Sequence, residues 1–570
     1  MVLFRYKPIE TIDYDFLYLK KEADSLSCFE AYQVSSLQRI FLNGENNLSE
    51  INSATALKGE RFSYQIAYKS NEIFLADIIV DSELKSFITV RTVENVPSEV
   101  PIRNKDHPLY IERAEPGLFP DVLSPICDKL LVQKSRYHSV MITVELPSSI
   151  KAGKYPITVF FKDNNNDEKS KNIFTLEVID AALPEQKLIY TQWFHCDSIA
   201  NYYNVPVFSE KFWSLTESFM RTAVHTGVNM ILTPLFTPPL DTAIGGERLT
   251  VQLVDVSVNN GKYIFGFEKL ISWIRLALNC GFKYFEMSHL FSQWGAVAAP
   301  KIIARVNGEE KRIFGWETDS SSPEYSDFLK ELLPELINVL RAEGIADKSF
   351  FHISDEPSKE QVESYSRAKN ILAPLVEGFP IIDALSDYEF YRDGIVSRPI
   401  PCTSRIESFI EQGFEHPWTY YCCGQEAPLS NRFFGMPLAI TRAIGVQLYK
   451  FGIEGFLQWG YNFYNSQQSL QSIDPYRITD AGGSFPSGDA FTVYPGKDTA
   501  LESIRSEAFY EALQDMRALQ LLEKYMPKDE IIAELENTFG KITFTEYPKT
   551  TADILKMRAI INNLIKQNTK

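Results

Sequence analysis

Two adjacent carboxylates, Asp355 and Glu356, end an apolar, aromatic-rich run that starts at Phe350. Pro357 follows them and disfavours helical dihedrals at Glu356, so the chain stays extended before it turns. Catalytic groups and ligands gather at the carboxyl ends of strands in barrels and in open α/β sheets. The pattern therefore indicates an acid–base pair at a strand end. The alternative is a helix N-terminus, in which Asp355 or Ser358 is the cap and Glu356 interacts favourably with the helix dipole.

The spacing of the two acids indicates one kind of sugar chemistry. Ordinary glycosidases place two carboxylates about 5–9 Å apart across the scissile bond, and neighbours in sequence fit that arrangement poorly. They fit substrate assistance, in which the 2-acetamido oxygen of the sugar attacks its own anomeric carbon. One carboxylate then orients the acetamido N–H, and the other protonates the leaving oxygen and later activates water. These roles require Asp355 ionised and Glu356 protonated at rest, a division that repulsion between like charges favours.

Composition and short motifs exclude several other functions. A net charge of −17 at pH 7 argues against a general nucleic-acid surface. Neither a nucleotide cofactor nor a metal is predicted, because the sequence lacks Walker, strand-linked G-x-G-x-x-G, H-x-H and H-E-x-x-H patterns. The seven cysteines lack C-x-x-C spacing, which argues against a disulfide framework. No run resembles a signal peptide or a membrane span, so a cytoplasmic protein without membrane partners is predicted.

The chain is 570 residues long and divides into regions with different patterns of predicted secondary structure. Residues 1–184 are predicted to form an all-β sandwich, because short β-branched or aromatic runs alternate with turn residues. Residues 185–525 are predicted to form a (β/α)8 TIM-type barrel, because strand-like runs alternate with amphipathic helices; a doubly wound open sheet ranks second. The eight predicted barrel strands are Leu188–Phe194, Asn229–Thr233, Tyr284–Ser288, Phe350–Asp355, Pro380–Ala384, Pro399–Cys402, Trp418–Cys423 and Gly455–Trp459.

Residues 526–570 are predicted to form a small C-terminal helical cap. A helix over Ala500–Tyr525 closes the barrel before it. The tail then contains a helix near Asp529–Glu536, a possible strand at Ile542–Thr545, and a last helix with one apolar face that includes Ile554 and Ile565. This pattern favours packing onto the rest of the chain over binding of a partner.

Aromatic and polar side chains lie at or just beyond the ends of several predicted strands. The carboxyl ends of barrel strands meet at one mouth, so these side chains are predicted to bind substrate. Aromatic rings suit the apolar C–H faces of a sugar, and fixed polar groups suit its hydroxyls. The alternative for each tryptophan or histidine is a position in the core. The predicted substrate-binding residues are His195, His289, Trp294, Trp418, Tyr420, Trp459 and Asn462.

Several short motifs share their order and spacing with a known family. They are Ser354-Asp355-Glu356-Pro357, Trp418-x-Tyr420-x-Cys422-Cys423, Gly452-Ile-Glu-Gly455-Phe-Leu-x-Trp459, Gly488-Asp489, Tyr494-Pro495-Gly496 and Ser503-Ile504-Arg505. Together they resemble family 123 of the glycoside hydrolases. Lys58-Gly59-Glu60 and Ala152-Gly153-Lys154-Tyr155 are similar to the N-terminal β-sandwich of that family, so the resemblance extends to about residue 525.

The resemblance implies a retaining enzyme of the β-N-acetylgalactosaminidase type that uses substrate assistance. It implies that Asp355 orients the acetamido group and that Glu356 is the acid/base. By extension, Tyr420 is predicted to hydrogen-bond the acetamido oxygen, and Trp459 to line the sugar pocket. The chain departs from the family at Tyr510-Glu511-Ala512, where an Arg-Asp-Gly-like step is common, and at Val446, where an aromatic residue is expected.

Three functions remain open on the sequence. The first is an exo-acting hexosaminidase for β-linked N-acetylgalactosamine or a related 2-acetamido sugar. The second is a glycosidase of other specificity, with Glu356 as acid and a distant carboxylate such as Asp383 as nucleophile. The third is a non-catalytic carbohydrate-binding protein. In each case the partner is an oligosaccharide or glycoside, and the sequence carries no signal for the oligomeric state.

Overall fold

The computed structural model describes residues 29–44 and 46–569. Residues 1–28, which belong to the predicted 1–184 region, lie outside the described residues. The predicted cytoplasmic location depends on this same N-terminal stretch. The N-terminal region contains two five-stranded sheets. In order across the sheet, the first consists of Phe29–Ser35, Arg61–Ser70, Tyr137–Glu145, Ile88–Ser98 and Gly117–Pro125. The second consists of Ser53–Lys58, Glu168–Ala182, Gly153–Lys162, Phe74–Asp81 and Leu130–Val132.

The two N-terminal sheets share one hydrophobic core. Tyr64 of the first sheet stacks on Phe174 of the second, with ring centroids 4.3 Å apart. Phe29 and Phe161 make a second contact between the sheets at 5.2 Å. All four rings are buried, and Phe161 and Phe174 belong to strands on which buried residues alternate with less buried ones. This region is therefore strand-rich, as predicted.

The second region contains eight short parallel strands, one at each predicted position. Six form one sheet, in the order Ser349–Phe350, Tyr284–Met287, Met230–Thr233, Ile189–Gln192, Gly455–Gln458 and Trp418–Tyr420. The other two, Asp383–Ala384 and Pro399–Ile400, form a two-stranded parallel sheet. Single parallel bridges join Phe351 to Ile381 and Cys402 to Tyr420, between the two sheets.

Helices connect these strands, as the alternating pattern predicts. The longest, Pro323–Ala342, begins at Ser322, whose side chain accepts a hydrogen bond from the N–H of Tyr325. Its predicted apolar stripe, which includes Leu329 and Leu336, is buried. The helices in this region are Cys196–Tyr203, Glu210–His225, Glu268–Cys280, Pro323–Ala342, Val362–Leu372, Tyr388–Arg392, Ile406–Glu411, Leu438–Lys450 and Ile504–Leu522.

One small sheet in the second region is absent from the sequence prediction. Its four strands, in order, are Lys262–Gly266, Asp255–Asn259, Ile302–Val306 and Glu309–Phe314. Two of them precede the helix Glu268–Cys280 and two follow the strand Tyr284–Met287, so the sheet is built from two separate insertions. Polar turns hide these short strands in the sequence, because Asn259–Gly261 and Asn307–Gly308 break the apolar alternation. A two-stranded pair, Tyr494–Pro495 with Ala500–Leu501, lies further along the chain.

The C-terminal tail contains the two predicted helices, Lys528–Phe539 and Thr551–Asn568. The predicted strand at Ile542–Thr545 is wrong. The hydroxyl of Thr543 accepts hydrogen bonds from the backbone N–H groups of Thr545 and Glu546, so a side-chain-stabilised turn replaces a strand ladder. The last helix packs against both regions through Arg558, which binds Asp515 of helix Ile504–Leu522 at 2.7 Å and Glu60 of the N-terminal region at 2.6 Å.

Buried ion pairs join the N-terminal sheets to the second region. Arg505 binds Asp121 through two hydrogen bonds of 2.9 Å, and both side chains are fully buried. Arg61 lies 3.3 Å from Glu507, and it also stacks on Tyr510, 3.7 Å from the ring centroid. The two regions therefore meet through matched charges rather than through an apolar face alone.

Within residues 29–44 and 46–569, no helix is both long and apolar enough to cross a membrane. The cytoplasmic location stays a prediction.

Candidate active site

Asp355 and Glu356 lie just after the fourth parallel strand, where the regular backbone ends. Phe351 is the last residue there to pair with a neighbouring strand, at Ile381. The chain then bends sharply, and Glu356 has a left-handed backbone (φ 43°) that non-glycine residues adopt rarely. Two backbone bonds hold this bend: the Glu356 N–H donates to the carbonyl of Ala384 at 3.1 Å, and the Trp294 N–H donates to the carbonyl of Asp355 at 2.8 Å.

The bend allows two neighbouring side chains to reach one cavity, which a regular strand would not. Asp355 is half-buried and Glu356 is exposed. The sequence left open that Asp355 or Ser358 caps a helix. In the structure Ser358 does so, and it forms a capping box with Gln361. Neither Asp355 nor Glu356 caps this turn, so both carboxylates are available for chemistry.

The cavity has a volume of about 170 Å³ and is lined mainly by aromatic and acidic residues. Five of the residues predicted from the sequence line it: Trp294, Asp355, Glu356, Tyr420 and Trp459. The Tyr420 hydroxyl donates a hydrogen bond to the Glu356 carboxylate. The Trp459 indole N–H donates to Asp489 at 2.9 Å, which fixes the plane of the ring against the cavity. The other lining residues are Trp193, Leu240, Asp241, Gln293, Ala384, Cys422, Cys423, Leu457, Gln467 and Phe485.

His195 and Asn462, predicted to bind substrate, do not line the cavity. His195 is buried, with one ring nitrogen 3.0 Å from the carbonyl of Trp459 and the other 3.1 Å from the guanidinium of Arg248. Asn462 accepts a hydrogen bond from the backbone N–H of His195 at 2.8 Å and donates to its carbonyl at 3.1 Å. The helix Cys196–Tyr203 starts directly after His195, so the chain turns away from the mouth here. Both residues support the loop that carries Trp459.

Trp418 and His289 are also absent from the cavity lining. Trp418 begins the seventh strand and packs in the core against Gly455, where a Cβ would lie 1.9 Å from the Trp418 ring. His289 is buried and stacks on His352, with ring centroids 4.3 Å apart. Burial and the nearby His352 hold the pKa of His289 well below its usual range, so the ring is neutral. These two residues are core positions, the alternative that the sequence left open.

The surroundings of Asp355 favour its protonated form. Burial, followed by the neighbouring Glu356, raises the pKa of Asp355 well above its usual range, although His352 opposes this. Among the described residues, none forms an ion pair or a hydrogen bond with the Asp355 carboxylate. This differs from the resting state expected from the sequence, in which Asp355 is ionised. The Asp355 carboxylate therefore has a high affinity for a proton or for an N–H donor.

A buried polar layer lies below the catalytic pair. Burial alone would lower the pKa of His352, but its hydrogen bonds to Asp383 and Glu286 raise it to about 9. Asp383 accepts a hydrogen bond from the Ile353 N–H at 2.9 Å and another from the Tyr365 hydroxyl at 2.6 Å. It is fully buried, does not line the cavity, and so does not serve as the distant nucleophile of the second function considered above. Its visible role is to hold the strand that leads to Asp355.

Three residues of this layer have ligand atoms close enough to hold a metal ion. The atoms of His289, His352 and Asp383 lie within 4.8 Å of one another. However, the two imidazole rings stack at an interplanar angle of only 22°. A nitrogen lone pair lies in the plane of its ring, so nearly parallel rings do not aim at one ion. Among the described residues, His352 bonds to Glu286 at 3.0 Å, whereas neither ring nitrogen of His289 has a hydrogen-bond partner.

Asp241, Trp193, Gln293, Cys422, Cys423, Gln467 and Phe485 line the cavity but are not among the predicted site residues. Asp241 follows the second strand after a run of apolar and proline residues. Burial raises the pKa of Asp241 to about 6. A signal for it exists in the sequence, since acids in the loop after a barrel strand often reach the mouth.

Comparisons with known proteins agree with this geometry. The family model "Glycoside hydrolase 123, catalytic domain" matches residues 193–522. A family 123 glycoside hydrolase from Clostridium perfringens has a similar structure, with a TM-score of 0.70, 16% identity, and coverage of 95% of this chain and 97% of that chain. A β-glucuronidase from Parabacteroides merdae matches weakly, with a TM-score of 0.29, 10% identity, and coverage of 86% and 51% of the two chains.

A comparison with curated proteins finds no match. The family model spans more than half of the chain and includes Asp355, Glu356, the Tyr420 strand and the strand before Trp459. The match to the Clostridium perfringens structure extends through the N-terminal sheets. Of the motifs that resembled this family in the sequence, those at Asp355, Tyr420 and Trp459 lie on the cavity wall, and Ser503-Ile504-Arg505 lies at the junction with the N-terminal sheets. The chain belongs to glycoside hydrolase family 123.

Proposed function

We propose that this protein is a retaining exo-β-N-acetylhexosaminidase that removes a terminal β-linked N-acetylgalactosamine or a related 2-acetamido sugar. One observation carries the proposal: Asp355 and Glu356 are neighbours on one bend and open into the same cavity. Carboxylates placed in this way serve one side of a sugar. They suit a reaction in which the nucleophile comes from the substrate rather than from the protein.

In the proposed mechanism, Glu356 donates a proton to the leaving oxygen while the acetamido oxygen attacks the anomeric carbon. The glycosidic bond breaks, and an oxazolinium ion forms. Asp355 accepts the acetamido N–H, and this contact strengthens as positive charge develops on the oxazolinium. The raised pKa of Asp355 supports this role, because a carboxylate with high proton affinity stabilises the transition state more than the ground state. Water then attacks the anomeric carbon while Glu356 takes its proton. The bond between that carbon and the acetamido oxygen breaks, and the product keeps its β configuration.

The position of Tyr420 modifies one sequence prediction. Its hydroxyl donates to Glu356 rather than pointing freely into the cavity. We infer that Tyr420 orients the acid/base, with contact to the acetamido oxygen as a second role when substrate is bound. Trp193, Trp459 and Phe485 supply the apolar walls for the sugar ring.

The size of the cavity supports exo action. Its volume of about 170 Å³ is below the range of roughly 300–1,000 Å³ that is typical of pockets for drug-sized ligands. A single sugar ring is the ligand of this scale. The solved Clostridium perfringens relative is described with glycolipid glycan hydrolysis, so glycans carried on lipids and free oligosaccharides are both proposed as substrates.

We also infer that the eight parallel strands form a closed (β/α)8 barrel, with the N-terminal sheets as a β-sandwich. The first strand pairs with the eighth from Ile189–Gly455 to Gln192–Gln458. The bridges at Phe351–Ile381 and Cys402–Tyr420 lie between the six-stranded and two-stranded sheets. These pairings support a continuous ring. In such a barrel the proposed catalytic pair follows the carboxyl end of the fourth strand, where barrel enzymes carry their active sites.

The test is hydrolysis of chromogenic β-N-acetylgalactosaminide, β-N-acetylglucosaminide and β-galactoside by the wild-type protein, Asp355→Asn and Glu356→Gln. Cleavage limited to 2-acetamido sugars, with kcat reduced about 10²–10⁴-fold in both variants, is the expected result. Cleavage of the plain galactoside at a similar rate contradicts substrate assistance, because that substrate has no acetamido group. Unchanged activity in Glu356→Gln contradicts its role as acid/base.

A further inference from the structure

Asp241 is a third carboxylate in the cavity, and the structure holds it in an unusual way. It lies in the loop after the second strand, is half-buried, and has a left-handed backbone with φ 40°. Non-glycine residues keep such a conformation only when their surroundings fix it, and functional sites are where this occurs most often. The residues around Asp241 show how it is fixed.

Three loops converge on Asp241. Its backbone N–H donates to the side-chain oxygen of Gln293, and its backbone carbonyl accepts a hydrogen bond from the Ser469 hydroxyl at 2.7 Å. One carboxylate oxygen, Oδ2, accepts the backbone N–H of Gln468 at 3.0 Å. Within the described residues, the other oxygen, Oδ1, has no hydrogen bond and no ion pair. The loops thus position a carboxylate that has one acceptor left to offer.

Several other polar side chains of the cavity wall are already occupied. Gln293 uses its oxygen for Asp241 and its NH₂ group for the carbonyl of Thr242 at 3.0 Å. The indole N–H groups of Trp193 and Trp459 donate to Glu286 and Asp489. Tyr420 donates to Glu356. Apart from the catalytic pair, Asp241 is therefore the wall residue with both a charge and an unused acceptor.

This placement has a free-energy cost that the folded protein does not recover. Burial raises the pKa of Asp241 to about 6, and the nearest guanidinium, that of Arg248, forms its ion pair with Asp197 at 2.7 Å instead. A carboxylate that lacks a cation and is partly removed from water forms strong hydrogen bonds with neutral hydroxyl donors. A sugar ring carries such donors at C3, C4 and C6.

We propose that Asp241 accepts hydrogen bonds from ring hydroxyls of the sugar in the cavity and determines which epimer is bound. The inference rests on the proposed function. In the proposed mechanism, Asp355 binds the acetamido group at C2 and Glu356 binds the glycosidic oxygen at C1. The hydroxyls at C3, C4 and C6 are therefore left for Asp241 to contact. N-acetylgalactosamine and N-acetylglucosamine differ at C4, and a contact there separates the two.

The test compares the wild-type protein with Asp241→Asn and with a control, Asp474→Asn. Asparagine tolerates left-handed backbone and keeps an oxygen for the Gln468 N–H, so the loop is preserved. Asp474 caps a nearby turn by accepting the Tyr476 N–H at 3.0 Å and does not line the cavity. For the preferred 2-acetamido substrate we expect KM to rise about 10- to 100-fold in Asp241→Asn, with kcat changed less than about threefold. The control is expected to match the wild type.

Two further measurements make the result specific. Binding of N-acetylgalactosamine, N-acetylglucosamine and their 4-deoxy analogue is measured by calorimetry for wild type and Asp241→Asn. If Asp241 contacts the C4 hydroxyl, the variant loses its preference between the epimers, and the 4-deoxy sugar binds both proteins equally. If the contact is at C3 or C6, affinity falls equally for all three sugars, which supports the contact and overturns its role in epimer choice.

Equal KM values and equal affinities in wild type and Asp241→Asn overturn the inference and leave the carboxylate with a loop-capping role. Failure of the proposed function gives a different pattern. In that case the wild type binds sugars without hydrolysing a 2-acetamido substrate, and weaker binding by Asp241→Asn still supports the contact. A wild type that binds none of the sugars overturns both proposals.

Discussion

Carboxylates are removed from water in two regions of this molecule, and their surroundings are opposite. At the junction of the N-terminal sheets with the helices Ile504–Leu522 and Thr551–Asn568, Asp515 is fully buried between two arginines. Arg442 and Arg558 bind it at 2.7 Å each. In the cavity, Asp355 and Asp241 form no ion pair with any described residue. The same side-chain type is therefore neutralised by a partner in one region and left unneutralised in the other.

The pKa values of Asp515 and Asp355 are shifted in opposite directions. Burial alone would raise the pKa of Asp515, but Arg442 and Arg558 outweigh it and hold the pKa below its usual range. At Asp355, burial and Glu356 act in the same direction, and the pKa is raised well above its usual range. Burial by itself does not mark a functional carboxylate. Burial without a cation does, because the unfavourable desolvation is retained only where a substrate makes use of it.

The largest expected effect is on stability at the junction. Asp515→Asn removes the anion that Arg442 and Arg558 share. Each buried arginine is then left with one carboxylate, Glu511 for Arg442 and Glu60 for Arg558. We expect the free energy of unfolding to fall by about 3–5 kcal/mol, measured by urea denaturation. Asp529→Asn, an exposed change on the next helix, is the control. Activity per folded molecule should stay unchanged, and a loss no larger than that of the control would contradict the structural role.

A smaller effect is expected from Tyr420→Phe in the cavity. The change removes the hydrogen bond to Glu356 and nothing else from the wall. We expect kcat to fall about 10- to 100-fold, in line with the loss of a hydrogen bond to a charged group, while the unfolding midpoint stays the same. Tyr476→Phe is the matched control, since its hydroxyl donates to the carbonyl of Pro495 outside the cavity. Equal kcat in both variants would show that Tyr420 does not position the acid/base.

Asp355→Asn is expected to act on stability in the direction opposite to Asp515→Asn. Because the pKa of Asp355 is raised on folding, its ionisation above the unfolded pKa destabilises the folded state. Removing the charge should raise the free energy of unfolding at pH 7 by about 0.5–2 kcal/mol, and the gain should disappear towards pH 3. Urea denaturation at both pH values measures this. A loss of stability at pH 7 would show that a partner neutralises Asp355.

The smallest expected effect concerns His225 at the edge of the junction. Burial alone would lower the pKa of His225, but hydrogen bonds to Glu145 and Glu502 raise it to about 9. Its stabilising contribution is complete below the unfolded pKa of about 6.5 and is lost as pH rises through about 9. The side chain is 44% exposed, so the contribution is less than about 1 kcal/mol.

His225→Gln tests this contribution. The wild type should lose more stability than the variant between pH 6.5 and pH 9.5, measured by urea denaturation at each pH. Parallel losses in the two proteins would assign the pH dependence to other groups.

The positions of the strands could be predicted from the sequence more accurately than the directions of their side chains. Each of the eight parallel strands was found because β-branched and aromatic runs stop at turn residues. Trp418 and Tyr420 share one face of a strand, but they lie two residues apart, or about 6–7 Å in height, so Tyr420 reaches the mouth and Trp418 stays in the core. Height within a barrel depends on register between strands, which a single sequence does not contain.

The loops were the least predictable part of the site. His195 was expected at the mouth, but the immediate start of the next helix turns it inward. Asp241 was missed because its position depends on contacts with Gln293 and Ser469, which are distant in sequence. Asp355 and Glu356 were identifiable because neighbouring acids followed by proline carry their own local signal. Asp241, which is placed by long-range contacts, carries only the weaker signal of an acid in the loop after a strand.

The helix Thr551–Asn568 has a consequence for the synthesis of the protein. Its Arg558 and Asn562 bind Glu60 and Thr55, which leave the ribosome about 500 residues earlier. At roughly 5–20 residues per second, the first strands wait about 25–100 s for these partners. During that time Glu60 has no Arg558 to neutralise it. Translation through residue 562 is thus the step that completes the junction, and a nascent chain halted before it differs from a finished one by an exposed cluster of acids.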